Sequence, residues 1–70
     1  MKWSPDAMEE LERAIVEGSR IQLLRRGTEY VVYPRSIRAD EGGDALLATT
    51  NTGDDLTFML DEIERFDVLW

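Results

Sequence analysis

A change of hydrophobic period at Gly18 constrains the fold of this sequence more than any other feature. Before Gly18, apolar residues recur every three or four positions, whereas from Ser19 onward they tend to alternate with polar residues. A period near 3.6 indicates an amphipathic helix, and a period of two indicates strands with one buried face. Clusters of turn-forming residues interrupt the second region at short intervals. The sequence therefore predicts one N-terminal helix followed by several short strands.

The predicted helix covers residues 5–17 and has a complete start signal. Ser4 is a favourable N-cap, and Pro5 fits the first helical position, where its missing N–H costs nothing. Trp3 and Met8 have the spacing of a hydrophobic staple around such a cap. The glycine at which the period changes is a natural C-cap. The apolar stripe of this helix consists of Met8, Leu11, Ala14 and Ile15.

Five short strands are predicted after the helix. They cover about residues 20–23, 29–33, 45–50 and 56–60, and a final stretch that contains Ile63, Phe66, Val68 and Trp70. In the fourth strand, Leu56, Phe58 and Leu60 are expected to share one face. Pro34 has no N–H to donate to a central ladder, so the second strand either bends there or continues as an edge toward Ile37.

One helix and five short strands contain too little sheet for a two-layer sandwich. Strongly bent strands that close on themselves bury one face without a second sheet and remove exposed edges. We therefore predict one α+β domain, mainly β, over residues 1–70. Its helix covers about residues 5–17, and a five-stranded antiparallel SH3-like or Sm-like barrel covers about residues 19–70, with the helix packed on the open end.

Several short motifs follow one another in order between residues 11 and 69. They are Leu11, Ala14-Ile15, Ile21-Gln22-Leu23, Tyr30-Val31-Val32-Tyr33-Pro34, Leu46-Leu47-Ala48 and Thr57-Phe58-Met59-Leu60-Asp61-Glu62-Ile63. In this order they resemble the WYL domain of bacterial regulators. The resemblance implies a small Sm-like barrel that senses ligands, often nucleic acids or nucleotides. The family is named after a Trp-Tyr pair, and Ala45 and Leu46 occupy the corresponding positions in this sequence. The basic residues that the family has near its C-terminal motif are replaced here by Leu56, Met59 and Glu62. The resemblance therefore implies the fold and not the ligand site.

The stretch Leu60-Asp61-Glu62-Ile63-Glu64-Arg65-Phe66 carries a second resemblance. It is similar to a stretch in the small acidic inhibitor of the transcription terminator Rho. That resemblance implies an N-terminal helix, a Sm-like barrel and function by protein binding, as an acidic decoy that interferes with nucleic-acid access. The size and the acidity of the present chain suit this family.

Most side chains that enzymes use for chemistry are missing, because the 70 residues include no Cys and no His. Thiolate nucleophiles, Cys-type metal sites and imidazole acid/base catalysis are therefore excluded. The carboxylates near predicted turns lack the spacing of a calcium loop or of a converging catalytic pair; they are Asp40, Glu41, Asp44, Asp54 and Asp55. We predict a non-enzymatic protein with no catalytic residue, no metal site and no other cofactor.

Acidic side chains are concentrated toward the C-terminus of a chain whose net charge is −7. Residues 39–70 hold nine acidic side chains and one basic side chain, Arg65. Four of the acidic residues are interleaved with apolar ones in the last ten positions: Asp61, Glu62, Glu64 and Asp67. Such a run is suited to steering a basic protein surface, although a solubilising face is the alternative. We predict a regulatory module that binds a partner protein through these four residues.

Five arginines lie between residues 19 and 38, where the only acidic residue is Glu29: Arg20, Arg25, Arg26, Arg35 and Arg38. On paired strands, a subset of them can form a strip that holds a phosphate or an acidic peptide. This pattern gives the alternative function, a WYL-like sensor of a nucleotide or oligonucleotide. Solvated strand faces and cross-strand pairing with Glu29 are the competing interpretation. Because the chain is acidic overall, nucleic acid is the less favoured partner.

The two tryptophans, Trp3 and Trp70, lie near the termini, where partial exposure is expected. An exposed aromatic there would indicate contact with a partner or with a second copy in a homodimer. No apolar run is long enough to span a membrane, and Met1–Pro5 lacks the apolar region of a signal peptide. We therefore expect a cytoplasmic location and no membrane partner.

Overall fold

The computed structural model describes residues 1–70 and contains one helix followed by a five-stranded antiparallel sheet. Its elements are α1 (Pro5–Glu17), β1 (Arg20–Arg25), β2 (Thr28–Asp40), β3 (Gly43–Thr49), β4 (Asp55–Met59), a 3₁₀ helix (Leu60–Glu62) and β5 (Ile63–Leu69). The predicted α+β class, mainly β, is confirmed. No helix in the structure is both long enough and apolar enough to cross a membrane.

Helix α1 begins and ends where the sequence signals predict. The Ser4 Oγ accepts a hydrogen bond from the backbone N–H of Ala7 at 3.1 Å, and Pro5 occupies the first helical position. Gly18 adopts a left-handed φ of 69° and closes the last turn. Capping at both ends explains why the helix has the predicted bounds.

The strands form one sheet in the order β4-β3-β2-β1-β5. Three of the four ladders join strands that follow one another in the chain, and the fourth returns β5 to β1. The two edge strands, β4 and β5, are connected by the 3₁₀ helix. The result is a small, β-rich, barrel-like fold.

Strand β2 is shared by the two halves of the sheet, β2–β1–β5 and β4–β3–β2. Its first part pairs with β1 as far as Val32, and its second part pairs with β3 from Tyr33 onward. The register with β3 shifts between Pro34 and Ser36, which leaves Arg35 without an opposite residue. Pro34 therefore lies at a bulge, where a residue without an N–H is tolerated. The strand changes partner there instead of ending.

The connection between β1 and β2 is a two-residue turn. Both central residues have positive φ, 50° at Arg26 and 77° at Gly27. This is the backbone of a type I′ turn, whose twist matches that of the flanking strands. Gly27 adopts this conformation without strain because it has no Cβ. Arg26 adopts it although it carries a side chain, which is unfavourable at positive φ.

The core lies between α1 and the inner face of the bent sheet. It contains Leu11, Ala14, Ile21, Leu23, Val32, Leu46, Ala48, Phe58, Leu60 and Ile63. Leu60 is buried as expected, but it opens the 3₁₀ helix rather than ending the fourth strand, because β4 stops at Met59. Trp3 packs against this core from the start of the chain.

Trp3 fixes the N-terminus of α1 to the far end of the chain. Its indole Nε1–H donates to the carbonyl of Leu60 at 2.8 Å, and its ring stacks on Phe66 with centroids 5.2 Å apart. Of the two tryptophans near the termini, Trp3 is thus half-buried and Trp70 is exposed.

Candidate functional site

The four predicted acidic residues lie along the 3₁₀ helix and β5. Two of them contact the β1–β2 turn. Glu62 Oε2 forms an ion pair with Nη2 of Arg26 at 2.9 Å, and Glu64 Oε2 accepts the backbone N–H of Gly27 at 3.2 Å. These two carboxylates therefore hold the turn against the last strand. Asp61 and Asp67 are exposed and make neither an ion pair nor a side-chain hydrogen bond.

Asp67 lies on the outer face of the β2–β1–β5 half-sheet, opposite Gln22. That face also contains a small polar network. Glu29 accepts a hydrogen bond from Nε2 of Gln22 at 3.1 Å and pairs with Nη2 of Arg65 at 3.4 Å. The charge around Asp67 is therefore mixed, because Arg65, the only basic residue after Arg38, lies two positions away.

The five arginines do not share one face of the sheet. Arg20 and Arg25 begin and end β1, and their odd spacing turns their side chains to opposite faces. Arg26 lies in the turn and pairs with Glu62, whereas Arg35 and Arg38 lie on the second half of β2. The structure gathers no strip that contains all five.

Arg25 points inward at the end of β1 and covers two rings. Its guanidinium carbon lies 4.9 Å from the ring centroid of Phe58 and 5.3 Å from that of Tyr30. Nη2 donates to the Tyr30 hydroxyl at 3.1 Å, while the buried Nε has no hydrogen-bond partner. Stacking explains the position of this side chain, which closes the core at that end.

A second acidic site lies between α1 and the C-terminal end of β5. Of its residues, only Trp70 was predicted from the sequence to contact a partner. A cleft of about 410 Å³ is lined by Asp6, Glu9, Glu10, Arg13 and Trp70. The Trp70 side chain is 65% exposed. We call this set of five residues the Trp70 cleft.

Arg13 is held against Trp70 within the cleft. Its guanidinium carbon lies 5.0 Å from the centre of the indole, and its Nε donates to Glu17 Oε2 at 2.9 Å. The hydrogen bond and the charge of Glu17 raise the pKa of Arg13 above its ordinary value. Arg13 is therefore occupied by two partners, and the three carboxylates of the cleft form no ion pair.

The spacing of the acidic cleft residues is a signal that sequence reasoning could have used. Glu9 and Glu10 lie three and four residues after Asp6, and four and three residues before Arg13, which places the four residues on one side of a helix. No short sequence pattern indicates that Trp70 lies beside these residues, because its position depends on the pairing of β5 with β1.

Two other carboxylates accept hydrogen bonds in or beside exposed turns. Asp40 Oδ1 accepts the backbone N–H of Glu41 at 2.7 Å, and Asp54 Oδ2 accepts from the Thr52 hydroxyl at 3.1 Å. No group of three or more potential ligands is placed to hold a metal ion. The side chains of Asp40 and Asp54 therefore stabilise the turns beside them.

Comparison of the chain with protein-family models, with curated proteins and with solved structures gives no match. The candidate surfaces therefore rest on the charge, exposure and contacts of this chain itself.

Proposed function

We propose that the protein is a small, non-enzymatic regulatory module that binds a basic partner protein through its acidic surface. The observation that carries this proposal is the exposure of Trp70 among unpaired carboxylates in the Trp70 cleft. Asp61 and Asp67 add unpaired negative charge, while Glu62 and Glu64 contribute charge and also hold the β1–β2 turn.

An exposed indole beside carboxylates suits a lysine or arginine side chain of a partner. The ring attracts a cation by about 0.5–1 kcal/mol at an exposed site and by about 2 kcal/mol when binding removes water. The carboxylates of Asp6, Glu9 and Glu10 can accept its hydrogen bonds. Arg13 already lies over the indole at 5.0 Å and is bound to Glu17, so a partner cation must contact the remaining exposed surface of the ring.

The overall charge supports the same kind of partner. A net charge of −7 on 70 residues attracts basic surfaces over distances beyond direct contact and raises their association rate at low salt. Large aromatic residues surrounded by polar groups also tend to contribute most of the binding energy of an interface.

A role in transcription regulation in the cytoplasm is part of this proposal. It is supported by the similarity of Leu60–Phe66 to the acidic inhibitor of Rho. The alternative, nucleotide sensing by Arg20, Arg25, Arg26, Arg35 and Arg38, stays a prediction, and no contact in the structure favours it.

The proposal is tested by affinity capture with three immobilised baits: the wild-type chain, Trp70→Ala and Val31→Ala. Val31 is the matched control, since it is an exposed apolar residue outside the Trp70 cleft, at 48% exposure. We expect a basic protein from native lysate to bind wild type and Val31→Ala at low salt. Its affinity for Trp70→Ala should be about 30-fold lower, the loss typical of a central aromatic residue.

Salt provides the second readout. Binding should weaken steeply between roughly 0.05 and 0.5 M salt, because exposed charges are screened over this range. Capture of the same proteins by all three baits, or binding that ignores salt, contradicts the proposal.

A further inference from the structure

The second half of β2 has a strand on only one side. Pairing with β1 stops at Val32, so Pro34–Asp40 is paired with β3 alone. The C-terminal half of α1 lies next to this open side, where Ile15, Val16 and Ile37 line a groove. Val16 is 85% exposed, the highest value among the large apolar side chains.

Two grooves meet at this point of β2. The first, between α1 and β2, has a volume of about 290 Å³ and includes Glu12 at its wall. The second, also about 290 Å³, lies on the β2–β3–β4 side and is lined by Leu47, Leu56 and Asp55 among others. Arg35 and Ser36 line both grooves. We call the combined surface the β2 furrow; its main residues are Ile15, Val16, Ile37, Arg35, Leu47 and Leu56.

Arg35 is a positioned cation between the two grooves. It occupies the bulge of β2, its Nε donates to Thr49 Oγ1 at 2.9 Å, and its guanidinium carbon lies 5.4 Å from the ring centroid of Tyr33. Its Nη atoms make no hydrogen bond and no ion pair, in a chain with 15 acidic side chains. Two donors of a fixed guanidinium are thus free to bind a carboxylate.

We propose that the β2 furrow binds an extended segment of a partner protein in which one carboxylate is flanked on both sides by apolar side chains. The carboxylate pairs with Arg35, and the flanking side chains fill the two grooves.

The charges around the furrow limit the ligand to a single acidic residue. Glu12 lines one groove and Asp55 lines the other, so each repels a further carboxylate on its side of Arg35. The ligand is therefore an apolar segment with one acidic centre, not an acidic run. This inference does not rest on the proposed function, which concerns a basic partner at the Trp70 cleft.

The experiment selects binders from a random heptapeptide library displayed on phage. The full chain is the bait, compared with Arg35→Gln, Val16→Ser and, as the matched control, Arg38→Gln. Arg38 is an exposed arginine of the same strand that lies outside both grooves. One selected peptide and its Glu→Gln or Asp→Asn analogue are then titrated while amide chemical shifts are followed.

We expect the selected peptides to share one acidic residue with apolar neighbours on both sides. Arg35→Gln and the amide analogue should each weaken binding on the order of ten-fold, the loss of one charge-assisted pair. Val16→Ser should also weaken binding, Arg38→Gln should not, and the shifts should lie at Ser36, Ile37 and Leu47.

Three results would overturn the inference. The first is a selection without this pattern, including one that yields only basic peptides whose shifts lie at Trp70. The second is equal binding by wild type and Arg35→Gln. The third is a concentration-dependent dimer of the chain that Val16→Ser abolishes while no peptide is selected, since the furrow would then bind a second copy.

Discussion

Replacing Trp3 should cost far more stability than replacing Trp70, although both tryptophans lie near a terminus. Trp3→Ala removes a hydrogen bond to Leu60, worth about 0.5–1.5 kcal/mol, and the stack on Phe66, worth a similar amount. Loss of half-buried apolar area adds roughly 1 kcal/mol. The total is about 2–4 kcal/mol, out of the roughly 3.5–10 kcal/mol expected for a domain of this size.

Two further variants separate the contributions to this value. Trp3→Phe keeps an aromatic ring over Phe66 but loses the indole N–H and part of the ring area, so it should cost about 1–2 kcal/mol. Trp70→Ala loses an exposed ring and its contact with Arg13, so it should cost at most about 1 kcal/mol.

Urea unfolding followed by far-ultraviolet circular dichroism measures all three free energies of unfolding without relying on tryptophan emission. The expected order of cost is Trp3→Ala, then Trp3→Phe, with Trp70→Ala no larger than Trp3→Phe. If Trp70→Ala costs as much as Trp3→Ala, the structural role assigned to Trp3 is wrong. Equal costs for Trp3→Phe and Trp3→Ala would show that the ring stack contributes nothing.

Two other substitutions test the local signals. Ser4→Ala should lower the free energy of unfolding by about 1 kcal/mol and the melting temperature by about 4–8 °C, whereas Ser4→Asp should keep the cap; a thermal melt unchanged by Ser4→Ala contradicts the assignment. Gly27→Ala should cost about 1–2 kcal/mol because φ is 77° there, although nothing lies within 4 Å of the added Cβ. Gly42→Ala is its control, since the added Cβ meets only Met59 Cε at 3.7 Å, and equal melting temperatures for the two variants would refute the backbone argument.

Helix α1 was predictable because its signals are local. The cap at Ser4, the proline that follows it and the glycine at the end act within a few residues, and the helix has the predicted bounds. Strand β2 was predicted over residues 29–33 but extends over Thr28–Asp40. Because of Pro34, the sequence left open whether the strand bends there or continues. In the structure the strand continues through a bulge and changes its partner from β1 to β3.

The candidate surfaces were predictable only in part, because contacts between distant residues decide which charges remain free. Glu64 is exposed and Glu62 is half-buried, and their engagement with the β1–β2 turn depends on how β5 approaches it. The exposure of Trp70 was expected from its terminal position. Its acidic neighbours on α1 could not be assigned, because helix and strand meet only through the tertiary fold.

The pairing of β5 with β1 has a consequence for how the chain folds. The other three ladders connect neighbours in sequence, so each can form as a hairpin with a short loop. Only the β1–β5 ladder must close a loop that contains β2, β3 and β4, and it therefore bears the main entropic cost of closure. Phe66 lies in β5, so its stack on Trp3 needs the same closure. We expect the β1–β5 ladder and the Trp3 stack to form together, after the three hairpins.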